Sequence, residues 1–219
     1  PTIEIGPPTD GSVWGQVASE LAGFDWLIFA SANAVTGFEG HCRAAGRGWP
    51  TGPRYAAIGR KTAAVLHERA GVDARVPPDF RSESFLDLPE MAAEAVQGQR
   101  ILLVSGEGGR RLLPETLTER GAAVTRLPVY ARRLPDTDPA PVENDLAAGR
   151  LDAAVVTSPE GFTNLLAMLG TAAASALAAV PLVVISGVTA EAIRAHAFPD
   201  PTVAPEASDE GLLQALTGL

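Results

Sequence analysis

The stretch Ser105 Gly106 Glu107 Gly108 Gly109 Arg110 Arg111 directly follows the apolar run Ile101 to Val104. A glycine-rich loop leaving a buried strand turns backbone N–H groups toward an anion, and an arginine beside it adds a permanent positive charge. A dinucleotide fingerprint is a second reading of the same glycines. Against it, Arg111 stands where the last glycine of that fingerprint belongs, and the next strand, Val124 Thr125 Arg126 Leu127, ends without an acidic residue. An anion-binding loop, with the Gly106 region and Arg110 aimed at carboxylates, fits these residues better.

Polar side chains recur in the same position relative to other apolar runs. Ser31 and Asn33 follow Leu27 to Ala30, Lys61 and Thr62 follow Ala56 to Ile58, Ser82 comes further on, and Ser158, Gly187 and Thr189 occupy related places later in the chain. In open α/β sheets ligands bind beyond the carboxyl ends of strands, where helices begin and their free amides converge. Ser, Thr and Asn also cap helices everywhere. The two roles are compatible, because a capped helix end facing a cleft offers both hydroxyls and amides. Tyr130 sits in an extended segment, where it either packs one strand face or faces the cleft; it is the one catalytic candidate.

Other chemistries find no support. There is no nucleophile elbow, no phosphate loop with its lysine, and no histidine among acid and base partners. His41, Cys42, His67 and His196 lack the paired spacing of a zinc site, and a lone cysteine forms no internal disulfide. No metal and no cofactor are therefore expected. With 46% apolar and 20% charged residues the chain reads as an ordinary globular protein, and its net charge of -9 disfavours nucleic acid and anionic lipid. No apolar run reaches the ~18 residues of a membrane span and no secretion signal is visible, so a cytoplasmic protein is expected. A monomer is expected.

The elements that position these residues come in two copies. Asp25 Trp26 Leu27 Ile28 Phe29 Ala30 Ser31 is echoed by Asp152 Ala153 Ala154 Val155 Val156 Thr157 Ser158, an offset of 158 − 31 = 127. Ile58 to Ala63 is answered by Ile185 to Ala190, Val76 with Pro78 by Val203 with Pro205, and Glu83 with Leu86 by Glu210 with Leu213, all in that register. Each copy reads as strand, helix, strand, helix, strand, helix. Short continuous apolar runs are what parallel strands buried on both faces look like. Helices Thr62 to Ala70, Arg110 to Arg120 and Phe162 to Leu169 each precede a glycine, at Gly71, Gly121 and Gly170, the usual left-handed stop.

The fold class predicted is α/β: two homologous lobes with parallel sheets flanked by helices, joined by a two-stranded connector ladder. Residues 1–10 and 128–135 read as connectors, 11–127 as a complete lobe and 136–219 as an incomplete one. The opening strand, helix and strand of that second lobe, about 30 residues on usual unit lengths, are expected to be missing. Thr2 to Ile5 and Val129 to Arg132 would form the ladder, and the acidic run Asp136 to Glu143 a solvated link.

In order and spacing, several blocks together resemble the uroporphyrinogen-III synthases over nearly the whole chain. They are Phe29 Ala30 Ser31 Ala32 Asn33 Ala34 Val35, Ala57 Ile58 Gly59 Arg60 Lys61 Thr62 Ala63, Ser82 Glu83 with Leu86, Leu88 and Pro89, Gly106 to Arg110, Gly121 Ala122 with Val129 Tyr130, and Val156 Thr157 Ser158. The resemblance implies two α/β lobes, one built from both chain ends, and a substrate, hydroxymethylbilane, whose acetate and propionate arms make it a polyanion. It implies that loss of the terminal hydroxyl leaves a cation, that attack at the substituted carbon of the last pyrrole gives a spiro intermediate, and that the ring recloses with that pyrrole inverted. The linear chain left alone closes without inversion, so catalysis would consist mainly of holding a folded conformer. Some members carry a tyrosine shortly after the second Thr-Ser turn; Asn164 stands there. The rival reading from another class is a two-lobed binding protein that closes on an anionic small molecule without chemistry.

Overall fold

The computed structural model describes residues 1–219, which divide into two compact units, Ile5–Arg132 and Pro1–Glu4 with Arg133–Leu219. In the first, the apolar runs become one sheet. Its strands are β1 (Glu4–Gly6), β2 (Trp26–Phe29), β3 (Arg54–Ala57), β4 (Arg100–Gly106) and β5 (Ala123–Arg133), in the order β1-β5-β4-β2-β3. β2 pairs in parallel with β3 and β4, and β4 with β5.

Both sheet faces are covered, which is why β2 is apolar at every position rather than at alternate ones. Leu27 and Phe29 pack with Val35 and Phe38 of α2 (Ala32–Ala44) and Leu66 of α3 (Arg60–Ala70). Trp26 and Ile28 pack on the other side with Phe85 of α4 (Ser82–Leu86), Val96 of α5 (Ala93–Val96) and Leu117 of α6 (Leu112–Glu119). Each such fully buried side chain contributes roughly 1.5–3 kcal/mol. A short α1 (Ser12–Val17) adds Val17 to the first cluster.

The second unit holds a parallel three-stranded sheet, β6 (Ala154–Val156), β7 (Leu182–Val184) and β8 (Thr202–Val203), in the order β6-β7-β8. Around it lie α7 (Ala140–Ala147), α8 (Pro159–Met168), α9 (Thr171–Leu177), α10 (Gly187–Ala195) and α11 (Asp209–Thr217). Phe162 and Ile193, both fully buried, centre its core with Val184.

The repeat is visible down to single atoms. Ser31 Oγ accepts from Ala34 N–H at 3.1 Å, and Ser158 Oγ from Gly161 N–H at 3.0 Å. Leu66 and Ile193, in register, are both fully buried. The copies differ at their other helix starts: Gly59 and Arg81 precede α3 and α4 without a side-chain cap, whereas their counterparts Ser186 and Ser208 cap α10 and α11.

Several expectations need correction. α3 does stop at left-handed Gly71 (φ 67°), and Gly121 (φ 86°) follows α6, but α6 starts only at Leu112, which leaves Arg110 and Arg111 in the loop. α8 instead leaves through extended Leu169, and Gly170, at φ -66°, is the cap residue of α9, its N–H bound by Glu143 Oε1 at 2.7 Å. That glycine begins a helix. The third strand of the first copy shrinks to a single bridge between Ala56 and Arg75. The expected strand Val124 to Leu127 and connector Val129 to Arg132 are one strand, β5, so the β1–β5 pair is the edge of a sheet rather than a separate ladder. The sequence hid this because Pro128, which has no N–H to donate, marks a register shift and not a strand end.

No helix is long and apolar enough to cross a membrane.

Candidate functional site

Beyond the carboxyl ends of the parallel strands in Ile5–Arg132 lies a cavity of about 280 Å³ whose polar lining includes Ser31, Ser82, Ser105, Gly106, Arg110, Tyr130 and Arg132. At about 280 Å³ it falls just below the ~300–1,000 Å³ usual for ligand pockets, so a large ligand would occupy it only in part. A larger, more open depression of about 450 Å³ runs over Arg111, Glu115, Glu119 and Arg126, and the two share no residue. The strand-end cavity is the better candidate site, because it lies beyond the carboxyl ends of parallel strands and gathers hydroxyls, a glycine-rich loop and two guanidiniums beside the single carboxylate of Glu107.

Tyr130 is placed by the β5 irregularity. Ser105 faces Pro128 but Gly106 faces Tyr130, so Val129 is the extra residue of a bulge, and bulges re-aim side chains. The Tyr130 ring lies against Gly106, its hydroxyl is 3.1 Å from Ser31 Oγ, and it is buried to 6% exposure. Ser31 Oγ also accepts from the first turn of α2; either hydroxyl can donate in the Ser31–Tyr130 pair, and with Ser31 as donor the Tyr130 O–H is free to point into the cavity.

The loop after β4 is fixed from several sides. Ser105 Oγ donates to the Gly106 carbonyl at 3.1 Å, and Glu107 N–H donates to the Tyr130 carbonyl at 2.9 Å. The Glu107 carboxylate accepts from Thr9 N–H and, at 3.0 Å, from Thr9 Oγ1. Arg110 pairs with Glu83 at 2.9 Å. A backbone N–H bond, then Arg110 and Arg81, hold the Glu83 carboxyl below the usual carboxylate range. Both partners are exposed, and exposed ion pairs are weak, so a ligand carboxylate can exchange with Glu83.

Of the residues singled out from the sequence, Ser31, Ser82, Gly106, Arg110 and Tyr130 therefore meet in one cavity. Asn33 and Lys61 are exposed on α2 and α3 and do not line it, and Thr62 is buried at 5% exposure in the first turn of α3. Ser158 lines a separate cavity of about 280 Å³ in its own unit, with Thr2, Thr157 and Gly161, where Asn164 Nδ2 donates to the Thr2 carbonyl at 2.8 Å. Gly187 is exposed at the start of α10 and Thr189 is 1% exposed, its hydroxyl 3.1 Å from Ser186; neither lines these cavities. For Thr62 and Thr189 the packing role has prevailed over the one facing a ligand.

Three polar lining residues, Ser105, Glu107 and Arg132, escaped the sequence reading of the site. Arg132 stands two positions after Tyr130 on the same strand, hence on the same face, and strand alternation alone would have found it. Ser105 had a weaker signal, as the first residue of the glycine-rich loop.

The family model described as uroporphyrinogen-III synthase HemD matches residues 1–214. The chain is similar to the uroporphyrinogen-III synthase of Escherichia coli, 35% identical over 221 residues that cover 99% of this chain and 88% of that one. It is also similar to the enzyme of that name from Synechococcus elongatus, 39% identical over 141 residues that cover 64% of this chain and 52% of the relative's length. Its backbone resembles uroporphyrinogen-III synthetase from Helicobacter pylori with a TM-score of 0.66, over 99% of this chain and 90% of that chain. At 16% identity that last likeness shows the fold alone.

Proposed function

This chain belongs to the uroporphyrinogen-III synthase family, and from that premise we propose that it closes hydroxymethylbilane into uroporphyrinogen III. The last pyrrole is inverted and water is lost, which makes the protein a lyase of heme biosynthesis. The observation that carries the reading is the strand-end cavity, where Ser31, Ser82 and Ser105, the Gly106–Gly109 backbone, Arg110 and Arg132 surround Tyr130. Arg110, Arg132, Ser82 and the loop amides supply donors, and the substrate's arms are carboxylates.

Binding and orientation are the larger part of the proposed catalysis. Arg110 exchanges Glu83 for a substrate carboxylate, and the loop amides and Ser82 take others. Tyr130, with its hydroxyl held at Ser31, is the group placed to give a hydrogen bond to the departing hydroxyl. The closure that inverts the ring competes with direct closure, and each ~1.4 kcal/mol of preference changes the product ratio tenfold, so a few well-placed carboxylate contacts are enough.

Freshly prepared hydroxymethylbilane, incubated with the protein and resolved by ring isomer, tests the reading. The expected product is predominantly the type III isomer; the spontaneous type I isomer alone would refute it. The rival of a binding protein without chemistry predicts that second result, and family membership argues against it. We place the enzyme in the cytoplasm, with which a single buried Cys42 and no disulfide are compatible, and take it to act as a monomer.

A further inference from the structure

Phe80 holds a left-handed backbone, φ 59°, a conformation that bulky residues seldom adopt. Its ring remains 36% exposed, and the Arg60 guanidinium lies over it at 4.7 Å from the centroid. An exposed cation–π pair returns no more than the backbone strain takes, so the arrangement does not stabilise the fold.

The internal repeat shows that the scaffold does not require it either. At the offset of 127, Phe80 corresponds to Ala207 and Arg60 to Gly187, and the second unit begins helices at the corresponding positions, capped by Ser186 and Ser208, without an aromatic or a cation there. Strain that neither stabilises a protein nor belongs to its architecture collects at sites of function.

The location is specific. Phe80 is two residues from Ser82, and Arg60 two residues from Ile58, and both Ser82 and Ile58 line the strand-end cavity. Two residues span at most about 7 Å, which sets the pair at the rim of that cavity.

From this we propose that Phe80 and Arg60 form a platform that stacks a pyrrole ring of the bound tetrapyrrole and pairs with one of its carboxylate arms. The assignment rests on the function proposed above and names two further residues that determine substrate binding there. Arg60 covers one ring face and keeps a charge close to whatever lies on the other. A pyrrole with an acidic arm matches both halves of the platform.

Two measurements test it: steady-state kinetics with hydroxymethylbilane, isomers resolved, and fluorescence titration with uroporphyrin, a stable tetrapyrrole bearing the same acidic arms. Phe80→Leu is expected to raise KM and the uroporphyrin Kd about tenfold with kcat little changed, while Phe80→Trp keeps both near wild type. Phe80→Gly, which adopts the left-handed conformation freely, is expected to weaken binding as leucine does yet to raise the melting temperature by roughly 2 °C. Unchanged KM and Kd in Phe80→Leu overturn the platform, and a lowered melting temperature in Phe80→Gly overturns the strain argument behind it. A wild type that yields only the type I isomer, with uroporphyrin binding still weakened by Phe80→Leu, would sink the synthase reading and leave the platform standing. Type III product from wild type and variant alike, at equal KM, would do the reverse.

Discussion

The ring of Tyr130 occupies the space that a side chain at Gly106 would need: an ideal Cβ there would stand 2.5 Å from Tyr130 Cζ and 2.9 Å from its hydroxyl oxygen. Glycine at 106 is thus a condition for the tyrosine's position. Gly106→Ala must push the ring off Ser31, at a cost of about 1–3 kcal/mol. Urea denaturation should show the lost stability and the isomer assay a fall in type III product; a variant equal to wild type in both would mean that the ring moves aside freely.

Ser31 has two jobs that mutation can separate. Ser31→Ala and Ser208→Ala each remove one N-cap bond, to Ala34 N and Gly211 N, and each should cost about 1 kcal/mol. Only the first also removes the partner of Tyr130, so kcat should fall in Ser31→Ala well beyond any change in Ser208→Ala. Equal kcat in the two folded variants would reduce Ser31 to a cap.

In the second unit Phe162 is fully buried and meets Phe198 edge-on, ring centres 5.0 Å apart. Phe162→Ala should therefore cost about 3–5 kcal/mol. Thermal melts followed by circular dichroism check this, and a loss under 1 kcal/mol would contradict the packing described.

Stability should decline in alkali. Burial raises the Cys42 thiol from 9.0 to about 11, with Arg47 opposing and Glu39 reinforcing the shift. The unfolded chain ionises first, so the contribution of the neutral thiol is complete below pH 9.0 and is lost as pH rises to about 11. Over that window the slope is at most about 1.4 kcal/mol per pH unit for this group. Tyr55, buried beside it and hydrogen-bonded to the Pro50 carbonyl at 2.7 Å, is pushed up as well, by burial and then by Cys42. Urea midpoints from pH 8 to 11 should fall less steeply in Cys42→Ala; identical slopes would remove the thiol from the account.

How much was legible in the sequence depended on whether a residue's role was local. Strands such as Trp26–Phe29 and the caps at Ser31 and Ser158 follow from short apolar runs and from the repeat, and the structure repeats them in register. The glycine-rich loop was legible too, because strand followed by glycines is a local pattern. What lay hidden came from long-range pairing. Nothing near Val129 announces that β4 shifts register against it, so the packing of the Tyr130 ring on Gly106 and the approach of its hydroxyl to Ser31 could not be read from the sequence. Thr62 and Thr189 misled for a related reason: their spacing suits a ligand site, and only the packed helix shows the hydroxyls turned inward.

The unequal helix starts of the twin units make each half a reference for the other. Where Ser186 and Ser208 tie down a first-turn amide with their own hydroxyls, Gly59 and Arg81 make no side-chain cap. Installing serine at 59 or 81 would copy the twin's solution onto the half that carries the arginine-rimmed hollow. The rigidity gained, set against any loss of grip on an acidic solute, would measure how far that hollow depends on loosely finished helix ends.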